Sequence, residues 1–315
     1  MTRRNLPDAL SRLGIGTAAQ WQAAGLTERQ LRTLVAQDVL IRIRHSVYAT
    51  AVLVAKAKKD PRKDQALYAF AAILATPSPG IAVASHETAA KIHGLVLLND
   101  QQPDLVTLTR PRTSFSGQGR NLRLYAAELP AAHITKVLGV PVTTTARTVV
   151  DIARNLSYPE GVVTADSALR LPGTTRDGLS AVLDRCSGWY GIGQARRVVT
   201  FSNGLSESPL ESCARVTFAR RGLEPPELQA LIQTDESDFR VDFYWRKYRT
   251  VAEADGLLKY RDRQEGPGRA IAQLRRDRLL RATGRDVIHF TWHELFYEED
   301  QVIARLTTSF TRPRA

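Results

Sequence analysis

Apolar and polar positions alternate with different periods along the chain and divide it into three stretches. Residues 1–50 read helix, helix, helix, hairpin. A first helix is predicted over Pro7–Leu13, ended by Gly14 and Gly16. Thr17-Ala18-Ala19-Gln20 has the capping-box spacing, a hydroxyl at the N-cap and an amide three residues on, and Gly25 stops the short helix it opens. Thr27-Glu28-Arg29-Gln30 repeats the box and starts a third helix with Leu31, Leu34 and Val35 on its inner face. Two capped helices joined by a glycine-containing turn form a helix-turn-helix unit. Val39–Thr50 comes next with strand-like residues (Leu40, Ile41, Ile43, Val47, Tyr48) and with Arg42 and Arg44 alternating on the other side, which predicts a wing.

Residues 51–64, with Lys56, Lys58, Lys59, Pro61 and Lys63, read as a linker. Beyond it the pattern predicts an apolar helix to Ala75, a turn at Pro77–Gly80 and a strand or helix start over Ile81–Ser85. Strands are expected at Asp104–Thr109 and Asn121–Tyr125, and helices at Ala146–Asn155, Pro159–Leu169 and Thr175–Leu183. The character changes after Phe201-Ser202-Asn203-Gly204. Ser208-Pro209-Leu210-Glu211 opens a helix with proline at the first helical position, where its missing N–H costs nothing. Arg240–Trp245 alternates as a half-buried strand, Thr250–Asp255 is a second strand, and Ala270–Arg281 is a basic helix that Gly284 terminates. Val287–Trp292 is a third strand, and Thr291 caps a last helix. The expected class is a multidomain α/β protein with boundaries at 1–64, 65–204 and 205–315.

The composition of the 315 residues is globular, 43% hydrophobic, and no run approaches the ~20 apolar residues of a membrane helix. The basic N-terminus leads directly to Pro7 and Asp8, with no apolar signal core. Both points lead to the expectation of a cytoplasmic protein. Cys186 and Cys213 lack CxxC-type neighbours, so a disulfide framework or zinc site is not expected.

Charge changes the picture more. Forty-four Lys and Arg against thirty-two acids give a net charge of +12, which attracts polyanions in a salt-dependent way. Seven arginines against three acids fall in the first fifty residues. In a helix-turn-helix the later helix enters the major groove, so Arg29, Gln30, Arg32 and Thr33 are candidate readers, with Arg42 and Arg44 on the wing. A small helical bundle with solvated arginines, or a winged helix that binds protein, is the alternative.

The C-terminal acids are the other constellation. A hairpin turning over Arg246–Arg249 sets Asp242 opposite Glu253, and facing side chains in such a hairpin have Cβ atoms ~5 Å apart. Asp255 projects from the same face as Glu253. Hard oxygen ligands at this spacing suit Mg²⁺ or Mn²⁺, which can activate water for phosphodiester hydrolysis. Glu211 on the preceding helix is a further ligand or base, and Lys259 a charge partner for a scissile phosphate. The alternative is a solvated hairpin whose acids keep an edge soluble. His86 and His93, seven apart, would share one face of a helix. They have no third ligand near in sequence, so packing or hydrogen-bonding roles are expected.

Leu40-Ile41-Arg42-Ile43-Arg44-His45-Ser46-Val47-Tyr48 resembles the "LxRxRxGVY" wing of the AbiEi abortive-infection antitoxin family, with Ser46 in place of the usual glycine. Ala84-Ser85-His86-Glu87-Thr88-Ala89-Ala90-Lys91-Ile92-His93-Gly94-Leu95 is similar to its "SHxSAAxLHGL" stretch, and Thr145–Asp151 to its "TxRTxxD" stretch. The likeness covers roughly residues 1–170 and implies a repressor or antitoxin scaffold. Residues 207–296 resemble a very-short-patch-repair-endonuclease-like domain with a PD-(D/E)xK core. The stretches that carry this are Glu207–Ser212, Arg240–Phe243, Glu253–Tyr260, Arg275–Leu280 with Gly284, and His289–Trp292. By that resemblance Asp242 and Glu253 are metal ligands, with Asp255, placed on the same face by strand geometry, as a third and Glu211 assisting, and Lys259 stands in for the motif lysine that Asp255 replaces. The reading is a DNA-binding protein with a winged helix, an α/β middle domain and a restriction-endonuclease-like core that cuts DNA with Mg²⁺ or Mn²⁺. Its rival is a non-enzymatic repressor or antitoxin of a type IV toxin–antitoxin system, with a degenerate nuclease fold. DNA, a toxin protein and a second copy of the chain are the partners this allows; a membrane is not.

Overall fold

The computed structural model describes residues 14–76, 82–100, 104–111, 117–119, 121–256 and 266–313. The helix expected at Pro7–Leu13, the turn at Pro77–Gly80 and Lys259 lie outside them. The chain forms two compact units, residues 1–164 with 173–200, and residues 165–172 with 201–315. Both are mixed α/β, as the pattern implies.

The first unit begins with β1 (Ile15–Thr17), α1 (Ala18–Ala23), α2 (Glu28–Ala36), β2 (Leu40–Arg44) and β3 (Val47–Thr50). Both capping boxes form. Gln20 N–H donates to the Thr17 hydroxyl at 3.2 Å, while Thr17 N–H donates to Gln20 Oε1 at 2.8 Å. Thr27 and Gln30 repeat the exchange. Trp21 is fully buried with Leu26, Leu31 and Leu40, and its indole N–H donates to the Gly16 carbonyl at 3.1 Å. β3 lies between β1 and β2, antiparallel to both. The β2–β3 turn places Ser46 in the left-handed region, φ +59°, the backbone that glycine adopts without strain.

The expected linker contains a helix instead, α3 (Ala51–Ala57). Lys56 within it and Lys58 and Lys59 just after it mask the signal of Val54 and Ala57, which are three apart, buried, and about one and two helical turns from the Thr50 cap. Next comes α4 (Pro61–Ala75), capped by Asp60. This helix serves two clusters. Leu67 and Ala71 pack with Ile15, Val47 and Ala49, whereas Ala66, Ala69, Ala72 and Ile73 pack against the next sheet. A shared core therefore binds the first fifty residues to α4.

The second of these clusters rests on a sheet built from β4 (Val83–Ala84), β5 (Val106–Arg110), β6 (Gly117–Gly119), β7 (Leu122–Ala126), β8 (Ile134–Val137) and β9 (Val140–Thr143), with α5 (His86–His93) after β4. The order is β6-β7-β5-β4-β9-β8, with β5–β7 and β4–β9 parallel. Helices α6 (Thr145–Asn155), α7 (Tyr158–Leu169), α8 (Arg176–Arg185) and α9 (Ile192–Phe201) come after it, and the division between the units runs through α7. The second unit continues with α10 (Pro209–Arg220), β10 (Glu227–Gln233), β11 (Asp238–Trp245), β12 (Thr250–Asp255), α11 (Gly266–Ala282), β13 (Asp286–Thr291), α12 (Trp292–Tyr297) and α13 (Glu299–Thr311). Its sheet runs β10-β11-β12-β13, antiparallel except for the last pair. Among the described residues no helix is long and apolar enough to cross a membrane.

The β8–β9 hairpin closes over Leu138 and Gly139, at φ +50° and +83°. Two left-handed residues in a row define a turn that prefers asparagine then glycine. Leu138 is 46% exposed, so replacing it sacrifices little burial. Leu138→Asn is expected to stabilise the protein by about 1 kcal/mol through removal of the left-handed penalty. Urea denaturation should show a raised midpoint; an unchanged or lowered midpoint would contradict this account.

Candidate functional site

In the second unit the C-terminal acids gather around the middle of the sheet. The pairs Phe243↔Ala252, Tyr244↔Val251 and Trp245↔Thr250 set the β11–β12 register, and Asp242 and Glu253 are the next residue on each strand. Asp242 Oδ2 accepts the Ala254 N–H at 2.9 Å. Glu211 comes from the first turn of α10, where Ser208 caps the helix and also donates its hydroxyl to Glu211 Oε1 at 2.7 Å. Glu207 N–H donates to the other oxygen at 2.8 Å. Burial pushes the Glu211 carboxyl up, the charge of Asp242 adds to this, and the hydrogen bonds oppose it.

Gln229 joins the two. Its side-chain amide donates to Glu211 Oε2 at 3.0 Å and to Asp242 Oδ1 at 3.4 Å. It reaches both from a left-handed backbone, φ +52°, in the middle of β10. On the other side of the cluster Arg276 of α11 donates to Glu253 Oε1 at 2.7 Å, and Glu253 is only 4% exposed. Asp255 faces His289 of β13, Oδ2 to Nδ1 at 3.2 Å, and His289 Nε2 meets Asp277 Oδ2 at 2.9 Å. The contact with Asp255, joined by the charge of Asp277, holds the His289 imidazole above its ordinary pKa despite burial.

The divalent ion implied by the acids can be tested against this arrangement. Among the described residues no group of three or more His, Cys, Asp or Glu is placed to hold a metal ion. A guanidinium, an imidazole and a carboxamide already answer the carboxylates, so this donor set as arranged does not fit a divalent ion. Sequence reasoning gives no role to Gln229, Arg276, Asp277 or His289. Only the Arg275–Leu280 and His289–Trp292 stretches hint at the last three, and nothing in a linear pattern marks a left-handed glutamine.

In the first unit Arg29, Gln30, Arg32 and Thr33 are exposed on α2. Arg32 is ion-paired to Glu28 one turn earlier, and the Thr33 hydroxyl donates to the Arg29 carbonyl at 2.9 Å. Gln30 spends its carbonyl oxygen on the capping box. Arg42 is exposed on β2, whereas Arg44 is half-buried and donates to the Asn121 carbonyl. Burial lowers the Arg44 pKa. His93 Nε2 lies 2.7 Å from the Thr143 carbonyl, and His86 stacks on Tyr125 with ring centroids 4.0 Å apart.

Residues 82–197 match the AbiEi antitoxin C-terminal domain. The match runs from β4 into α9 and contains both stretches that resemble AbiEi sequences, Ala84–Leu95 and Thr145–Asp151. Two Mycobacterium tuberculosis proteins, from strains CDC 1551 / Oshkosh and H37Rv and each described as uncharacterized, are 27% identical to this chain over 293 residues. Each alignment covers 92% of this chain and 99% of the relative, so the likeness extends through both units and beyond the AbiEi segment.

His289 yields a pH prediction. Its folded pKa is raised, so its contribution to stability is complete below the unfolded value of about 6.5 and is lost as pH rises through the folded value. Wild type should therefore lose stability relative to His289→Gln as pH climbs above about 6.5. Denaturation midpoints of both proteins from about pH 6 to about pH 8.5 check this, and parallel curves would remove His289 from the account.

Proposed function

We propose that this protein is a DNA-binding regulator of the antitoxin type, a repressor that works alongside a toxin protein, and not a working nuclease. The observation that carries the reading is the AbiEi antitoxin match over residues 82–197, preceded in the same unit by a capped helix pair and a basic hairpin. The helix pair and hairpin are read as a winged helix. In that reading α2 offers Arg29, Gln30, Arg32 and Thr33 to the major groove, and Arg42 contacts phosphate from the wing. Arg44 ties the wing to Asn121 and so positions it. The net charge of +12 supplies the salt-dependent attraction for DNA.

The second unit supports the same conclusion. The charges of Asp242, Glu253 and Glu211 are met by Arg276 and the Gln229 amide. We read it as a nuclease-like fold retained for binding. Toxin contact and DNA grip are both compatible with it.

Two measurements test the proposal. Arg29→Ala and Arg32→Ala should each weaken binding to DNA upstream of the coding sequence by about tenfold, as expected for a base contact. Arg42→Ala should weaken binding uniformly and flatten the salt slope by about one unit. Deleting residues 1–64 is the wrong experiment, because α4 shares its core with β1 and β3. Incubation with plasmid and linear DNA in Mg²⁺ or Mn²⁺ should give no cutting. Cutting that EDTA stops and Asp242→Ala abolishes would restore the nuclease reading.

A further inference from the structure

His86 lies far in sequence from Arg147 and Asp151 but meets them in one cleft of about 250 Å³ in the first unit, whose lining also includes Tyr125, Glu128, Arg154 and Trp189. His86 is the first residue of α5, held at φ +49° and only 3% exposed. Its Nδ1 is 3.0 Å from the Ser85 hydroxyl, and that hydroxyl receives a hydrogen bond from Thr109 at 2.8 Å. The Ser85 hydrogen is thus directed to Nδ1, which leaves the proton of the neutral ring on Nε2. That Nε2 has no protein partner. Burial lowers the His86 pKa and keeps the ring neutral, against the opposing charge of Asp151.

Arg147 is 1% exposed. Its Nε donates to Asp151 Oδ2 at 2.8 Å, and Nη1 lies 3.1 Å from the Glu128 carbonyl and 3.2 Å from His133 Nδ1. Its Nη2 has no partner. Arg154 donates through Nη1 to the Tyr190 carbonyl at 2.7 Å, while its Nε makes no hydrogen bond and stands 3.8 Å from Asp151 Oδ1. The cleft therefore holds donors without a hydrogen-bond partner on His86 and Arg147, and a third on Arg154 that is ion-paired to Asp151. The acceptors beside them that lack a hydrogen bond are Asp151 Oδ1 and, on the residue after His86, Glu87 Oε2. Glu128, an exposed residue of the lining, gives Arg147 its carbonyl. Buried donors without acceptors are costly, and two guanidinium groups converge best on an oxygen-rich anion.

The indole of Trp189 covers this donor set. Its ring centroid is 4.6 Å from the Arg147 guanidinium carbon and 4.9 Å from that of Arg154. Trp189 and Tyr190 are carried between Gly188 and Gly191, both at positive φ, +79° and +75°. Tyr190 is 89% exposed.

We infer that this cleft is a binding site for a small oxyanion, a phosphate- or carboxylate-bearing molecule held by Arg147, Arg154 and His86, with Trp189 as its cover. Its volume is below the roughly 300–1,000 Å³ of pockets for drug-sized ligands, so the occupant is compact. Because the site lies inside the AbiEi-matching segment of a unit that also carries the basic hairpin, such an anion is a candidate effector.

The full-length protein should be titrated with sodium phosphate and, separately, with sodium succinate, each against sodium chloride at matched ionic strength. At least one should bind saturably by calorimetry and change the tryptophan fluorescence, and which one does so distinguishes phosphate from carboxylate chemistry. Trp189→Phe should keep the calorimetric binding and lose the fluorescence change. Arg154→Gln should weaken affinity at least about tenfold, the size expected for a lost charge-assisted contact. Exposed Arg197→Gln should behave as wild type. Arg147→Gln is avoided because Arg147 is fully buried, and circular dichroism of the Arg154 variant verifies its folding. The inference is overturned if neither anion binds saturably, if Arg154→Gln binds as tightly as wild type, or if Trp189→Phe keeps the full fluorescence change.

Discussion

A guanidinium taken into a protein core must be met by acceptors, and among the described residues the second unit meets that demand fully while the first meets it in part. In the second unit Arg215 of α10 donates to Asp166 Oδ2 at 2.8 Å, to the Ser206 hydroxyl at 3.2 Å and to the Phe201 carbonyl at 2.6 Å. Asp166 has no exposure and also accepts from Asn203 N–H and the Ser212 hydroxyl. Burial pushes its carboxyl up, and Arg215 pulls it back. Removing one partner of such a pair leaves an uncompensated charge in the interior, a loss of about 3–5 kcal/mol. The network fastens the end of α7, the end of α9 and the segment 203–206 to α10. With α10 fixed, Glu211 in its first turn can point only toward the sheet.

Arg147 plays the corresponding part in the first unit, but incompletely. Asp151, Glu128 and His133 satisfy two of its three nitrogens, and the third is left under the Trp189 ring. Arg215 holds structure together, whereas Arg147 combines the same work with an unanswered donor. The acids around Asp242 are likewise answered internally, by Gln229, Arg276 and His289.

What can be read from the sequence is local. The Thr17 and Thr27 boxes and the Ser208 and Thr291 caps concern residues within a turn of one another, and each forms; the alternation expected over Arg240–Trp245 holds only to Phe243, because Tyr244 is buried as well. The β11–β12 register from Phe243↔Ala252 to Trp245↔Thr250 is legible for the same reason, since a short turn fixes hairpin register. What escapes depends on distance. Arg44 finds Asn121 across 77 residues, and Arg276 reaches Glu253 across 23. β8 and β9 are too short to establish a period, and α3 is hidden by the lysines in it and just after it. Ser46 and Leu138 adopt left-handed backbones usually marked by glycine or asparagine, so neither turn carries its usual signal.

Gln229 has a consequence for how this sheet meets other chains. β10 ends the strand order among the described residues, and a regular end strand offers a row of unpaired amides and carbonyls to any passing strand. Leu231, 63% exposed on that strand, would add apolar attraction. The ladder to β11 skips Gln229, pairing Leu228 with Phe243 and then Ala230 with Val241. The register is the same on both sides, so no residue is inserted, and the left-handed backbone of Gln229 interrupts the regular row of amides and carbonyls at this one position. The backbone distortion that brings an amide between Glu211 and Asp242 thereby also blunts the sheet against strand-to-strand aggregation.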